Sequence, residues 1–131
     1  MTTGPTPALL VERLRRGGPL VPTDVTFNQP QLEAYGRAVG IDTPAVVPEP
    51  LLVAACIAAF DQTFDRVPGT LHLGQDLTVH RRPYPGRPVH ISGEITGGEN
   101  ARRGWRFSIR FSGVCDDQPC FAAVMHGQVL L

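Results

Sequence analysis

At 131 residues the chain has room for one domain and little more. Apolar residues make up 42% and charged residues only 18%, with no formal net charge, so a real core is available and the basic surplus of a nucleic-acid binder is absent. So little charge beside 13 Pro and 14 Gly predicts many turns and the kind of apolar surface that oligomers cover.

Residues 1–18 lack the basic-then-apolar order of a secretory signal, since Arg13, Arg15 and Arg16 follow the apolar residues. Residues 1–19 are expected to be an N-terminal extension, with a helical turn at Ala8–Leu14 stopped by Gly17-Gly18-Pro19. Residues 20–131 are expected to form a single domain. Leu20–Phe27 alternates weakly and predicts a short first strand. A helix then starts at Asn28, a good N-cap, with Pro30 in the first turn and Gln31 three residues after the cap. Leu32, Tyr35 and Val39 share one face, and Gly40 stops the helix. After a loop held by Pro44 and Pro48, a second helix is predicted from about Glu49 to Phe64. Its run Leu51–Phe60 is apolar on every side, which predicts a helix wrapped by other structure. That run falls short of the roughly 18 apolar residues of a membrane span.

The remainder alternates with period two, each strand having one buried and one wetter face. Leu71, Leu73, Leu77 and Val79 are expected inward, with His72, Asp76, Thr78 and His80 outward. Three more strands center on Val89–Ile95, Trp105–Phe111 and Phe121–Val129, and turns are placed at Pro83–Gly86, Gly97–Asn100 and Asp116–Pro119. The four strands are expected to meander through short antiparallel connections. Three cysteines without a secretion signal point to reduced thiols and a cytoplasmic protein, although Cys115 and Cys120 could face each other across a hairpin. One such pair is too few ligands for zinc, so no metal or cofactor is expected.

A short strand, a helix, a wholly apolar helix and four strands fit an α+β class, with a curved antiparallel sheet wrapped around one buried helix. Residues 20–130, with Leu71-His72-Leu73-Gly74-Gln75 and His80-Arg81-Arg82-Pro83-Tyr84-Pro85-Gly86, resemble the MaoC-like dehydratases of the hot-dog fold. The resemblance implies an acyl thioester substrate, carried on coenzyme A or an acyl carrier protein, in fatty-acid or polyketide-type metabolism. Composition and the short apolar run, not the resemblance, lead to the expectation of no nucleic acid and no membrane. The resemblance also implies a homodimer, or a heterodimer with a paralogous hot-dog subunit, because pairing covers open sheet edges.

The family's catalytic signature is G-D-x-N-P-x-H, whose carboxylate and imidazole hold a water and move a proton. Here the run is Gly40-Ile41-Asp42-Thr43-Pro44-Ala45-Val46, with Ile41 at the carboxylate position and Val46 at the imidazole position. Two classes of function follow. One is a lyase-like enzyme with an altered site, or an acyl thioesterase, recruiting Asp42, Glu49 or His72 as catalytic residues. The other is a non-catalytic substrate-binding subunit of a heterodimeric dehydratase. Asp42 lies one residue from the lost carboxylate, Glu49 opens the apolar helix, and His72 begins a strand near that helix's end. For each, the plainer roles are loop solvation, helix-end complementation and a solvated strand face. Arg102 and Arg103 are candidate contacts for the phosphates of coenzyme A or a phosphopantetheine arm, against the alternative of a solvated hairpin. Cys56, mid-helix among alanines, reads as a small core hydrophobe.

Overall fold

A computed structural model describes residues 6–131. In chain order its elements are α1 (Pro7–Arg16), β1 (Gly18–Pro19), β2 (Thr23–Thr26), α2 (Gln29–Val39), α3 (Glu49–Thr63), β3 (Thr70–Val79), β4 (Pro88–Ala101), β5 (Gly104–Cys115) and β6 (Gln118–Leu130). No helix is long and apolar enough to cross a membrane among the described residues.

Local chemistry sets the helix ends. Asn28 Oδ1 accepts from the Gln31 N–H at 2.9 Å and Gln31 Oε1 accepts from the Asn28 N–H at 2.7 Å, a reciprocal capping box that starts α2 as expected. Gly40 ends it in the left-handed conformation, φ 77°. The helical turn expected at Ala8–Leu14 is a full ten-residue helix, α1, capped by Thr6. Its Leu10, Val11 and Leu14 are buried, and Arg13 Nη2 donates to the Thr63 carbonyl at 2.7 Å, tying α1 to the end of α3. Residues 1–5 of the expected extension lie outside the described residues.

Helix α3 buries Leu52, Ala55, Cys56, Ala59 and Phe60, which recur at i, i+3, i+4, i+7 and i+8 and so form one stripe. Burying a large apolar side chain contributes roughly 1.5–3 kcal/mol. The opposite side leaves Ala54 and Ala58 exposed and Val53 and Ile57 half-buried, so within this chain the helix is covered on one face only, not wrapped on every side.

The sheet is antiparallel with order β1-β4-β5-β6-β3, and β2 continues the β1 edge by also pairing β4. Of the expected strand Leu20–Phe27 only Thr23–Thr26 is strand, as β2, and β1 falls at Gly18–Pro19, where only a helix stop was expected. Only β4, β5 and β6 meander. The chain leaves β3 at one edge and crosses the sheet to β4, so Pro83–Gly86 belongs to a crossover and not to a hairpin turn. The crossover is necessary because β3 pairs β6 from Thr70↔Val129 to Val79↔Phe121. The turn expected at Gly97–Asn100 is also displaced. Those residues continue β4 past a register shift at Ile95/Gly97, and the reversal falls at Arg102-Arg103, with Ala101 opposite Gly104. Glycines without side chains tolerate a bulge as well as a turn, and here the ladder to β5 wins. The inner row Phe107, Ile109, Phe111, Phe121, Ala123 and Met125 packs with the buried stripe of α3 in one core.

Candidate functional site

The loop joining α2 to α3 folds back on α2 and is pinned at both ends. Ile41 N–H donates to the Gly36 carbonyl at 2.9 Å, and a Cβ on Gly36 would sit 3.0 Å from the Ile41 carbonyl oxygen, so glycine allows the close return. Val47, fully buried, donates its N–H to the Pro83 carbonyl of the crossover at 2.8 Å. Between these pins lies a groove of about 450 Å³ whose lining includes Tyr35, Ile41, Pro44, Val46, Glu49 and Arg82. Ile41 and Val46, which the resemblance would put at the acid–base positions, therefore both line it. Asp42 is exposed and is not part of the lining. Glu49 is the carboxylate of the groove, and Arg82 Nη2 donates to its Oε1 at 3.4 Å. The arginine's role was not visible in the sequence, because Arg82 reaches Glu49 only through the crossover.

A second, apolar cavity of about 130 Å³ lies between the C-terminal half of α3 and the sheet, lined by Ile57, Phe60, Phe107, Met125, Thr70 and His72 among others. Phe60 and Phe107 stack with centroids 5.7 Å apart and planes 8° from parallel. A Cβ on Gly127 would stand 2.3 Å from Phe107 Cζ, so the ring depends on glycine there. His72 is exposed and lines this cavity together with Leu71, just before the register of β3 shifts between His72 and Gly74. Leu71 and Leu73 are 42% and 49% exposed and not inward as expected, whereas past the shift Leu77 and Val79 are half-buried and Asp76, Thr78 and His80 exposed, as expected. Gln75 sits opposite Met125 with both side-chain amide atoms buried and unpartnered. Position 75 shares the inward row with Leu77 and Val79, so a polar residue there was the signal in the sequence.

The three candidate catalytic residues are not brought together. Glu49 and Phe60 are eleven residues apart on one helix, about 16 Å along its axis, so groove and His72 cavity occupy its two ends. Arg102 and Arg103 form the exposed tip of the β4–β5 hairpin, their carbonyls accepting from Gln128 Nε2 at 3.2 Å and from the Leu131 N–H at 2.8 Å. Strand β5 runs from this tip to Cys115, about 36 Å for its length. Cys115 shares a pocket with Arg82, so the two arginines lie at the end of the sheet away from the groove. Burial pushes the Cys56 thiol up to about 12, which keeps it a protonated core residue. Asp61 pairs with Arg66 at 2.8 Å. On the outer face, Ser108 Oγ and His126 Nδ1 are 3.0 Å apart, and His90 meets Asp24 of β2. Among the described residues no three His, Cys, Asp or Glu side chains cluster as metal ligands would.

No protein-family model matches this chain, and no curated protein matches it. Solved structures do. The (R)-hydratase from A. caviae involved in PHA biosynthesis aligns with TM-score 0.71 at 15% identity, covering 86% of this chain and 96% of that one. The HadBC (3R-hydroxyacyl-ACP dehydratase) complex from Mycobacterium tuberculosis gives TM-score 0.71 at 17% identity, covering 86% of this chain and 95% of that one. The ChsH1–ChsH2 complex from the same organism gives 0.70 at 12%, covering 86% and 96%. At such identities the likeness is one of fold, and the chain has the α+β hot-dog fold of these hydratases and dehydratases.

Proposed function

We propose that this chain is an acyl-thioester-binding subunit of the MaoC-like dehydratase type, which depends on a partner subunit for its acid–base pair. The observation that carries this reading is the lining of the groove. Hydration of an enoyl thioester, or the reverse dehydration, needs a positioned acid and base at adjacent carbons. Ile41 and Val46 occupy those positions with side chains that transfer no proton, and Asp42 lies outside the lining. What remains is a groove at the N-terminal end of α3 and, at the other end of that helix, a separate apolar cavity lined by Ile57, Phe60, Phe107 and Met125, suited to part of an acyl chain.

Two features support a partner. Strand β3 is an edge paired only to β6, with Leu71 and Leu73 exposed on it. The outer side of α3 is apolar and uncovered by the rest of the chain. Two of the structural neighbors, HadBC and ChsH1–ChsH2, are themselves two-component complexes. A heterodimer suits this chain better than a homodimer, in which both grooves would lack the pair.

Thermal melting with short and long acyl-CoA thioesters, alone and mixed with a hot-dog subunit carrying an intact G-D-x-N-P-x-H, tests the proposal. A stabilizing shift that Ile57→Phe abolishes, and hydration only in the mixture, are expected. No shift with any acyl thioester in either setting would contradict it. A second reading, an acyl thioesterase, rests on Glu49 being the carboxylate of the groove. It requires thioester hydrolysis by the chain alone, lost in Glu49→Gln.

A further inference from the structure

The β5–β6 turn holds two thiols in contact. Asp116 and Asp117 reverse the chain with φ of 49° and 60°, left-handed values that aspartate tolerates better than most residues. A register shift between Gly113 and Val114 then leaves Cys120 without a partner in the ladder, Val114 facing Pro119 and Gly113 facing Phe121. Cys120 is turned fully into the interior, and the half-buried Cys115 thiol donates to its Sγ at 2.8 Å. Both are free thiols.

The crossover rests on this turn. The Cys120 carbonyl accepts from the N–H groups of His80 and Arg81 at 2.9 and 3.1 Å, and Arg87 pairs with Asp116 at 2.8 Å. The same crossover supplies the Pro83 carbonyl that holds Val47 beside the groove.

We infer that Cys115 and Cys120 are a reversible thiol–disulfide site, closed by a low-molecular-weight disulfide such as oxidized glutathione. The more exposed Cys115 reacts first. Its thiolate attacks one glutathione sulfur, and the other glutathione leaves as thiolate. The Cys120 thiolate then attacks Cys115 Sγ and releases the second glutathione. Two electrons pass from the dithiol to the reagent, and the two thiol protons end on the two departing glutathiones. The closed link fastens the turn on which the crossover lies. Reactivity is restrained, because burial, the contact with Cys120 and the nearby Asp116 carboxylate hold the Cys115 thiol up at about 12, with Arg81 acting in the opposite direction. Closure is therefore slow at neutral pH and gains about tenfold in thiolate per pH unit.

Equilibration of the intact protein with oxidized glutathione at pH 9, followed by alkylation in denaturant and mass spectrometry, tests the site. Cleavage after Arg110 leaves both thiols on the peptide Phe111–Leu131. The expected peptide is about 2 Da lighter and unalkylated, with Cys56 alkylated and all three thiols restored by dithiothreitol. Three alkylated cysteines at equilibrium, a glutathione adduct persisting on Cys115, or a link to Cys56 or to a second chain would each overturn it. The result does not depend on the acyl ligand, so this inference and the proposed function fail separately.

Discussion

Arg82 of the crossover and Glu49 at the first turn of α3 meet across the groove at 3.4 Å, an ion pair between side chains 51% and 50% exposed. Exposed pairs contribute roughly 0–1 kcal/mol, so the pair shapes the groove more than it stabilizes the fold. Arg82→Ala is expected to lower unfolding free energy by less than about 1 kcal/mol in urea titration. A loss beyond about 2 kcal/mol would mean that the pair holds the loop in place.

Gly127 is the seat of the Phe107 ring, and Phe107 in turn stacks on Phe60. A methyl group there meets the ring at 2.3 Å. Gly127→Ala should destabilize by about 1–3 kcal/mol, the usual cost of overpacking. Urea midpoints of the variant and the parent measure it, and equal midpoints would show that the ring can move aside freely.

The capping box at α2 gives a cleaner local test. Asn28→Ala removes the acceptor for the Gln31 N–H. The expected loss is about 1 kcal/mol, read from thermal or urea unfolding, whereas Asn28→Asp should retain most of the stability. An unchanged Asn28→Ala protein would mean that water replaces the cap without cost.

Some of this was legible in the chain and some was not, for physical reasons. Helix α2 carries its own start and stop in Asn28, Gln31 and Gly40, whose chemistry acts within a few residues. The run Leu51–Phe60 announces a helix, but which face is covered depends on strands far along the chain. The register shift between His72 and Gly74 arises in the pairing of β3 with β6, and the alternation of β3 alone does not show it. Likewise Gly97 and Gly98 permit either turn or bulge, and pairing with β5 decides. In the candidate site, Ile41 and Val46 were readable as departures from the signature. The Glu49–Arg82 pair needed the crossover to be seen, whereas Gln75 stood in the inward row of β3 as a polar residue.

Cys56 supplies a pH test. Burial raises its thiol to about 12 in the folded chain, whereas an unfolded thiol titrates near its ordinary value of about 8.5. Between these values the folded state keeps a proton that the unfolded state has lost. Its contribution is therefore complete below the unfolded value and is lost as pH rises through the window, by up to about 1.4 kcal/mol per unit. The stability advantage of the parent over Cys56→Ala should shrink from pH 8 to pH 10.5 in urea titrations. A constant gap would show that Cys56 does not titrate in that window.

The claim that the groove binds an acyl thioester without supplying a proton-transfer pair is tested most directly by a hydration assay on the purified chain with a short trans-2-enoyl-CoA. Positioned acid–base groups supply about two to four orders of magnitude in rate, and neither Ile41 nor Val46 provides one. The expected result is hydration indistinguishable from the protein-free control. Turnover near a typical enzymatic rate of about 10 per second by the unmodified chain would contradict the claim. In that event, loss of turnover in Asp42→Asn would identify a base displaced by one residue, and loss in His72→Ala one recruited from the sheet.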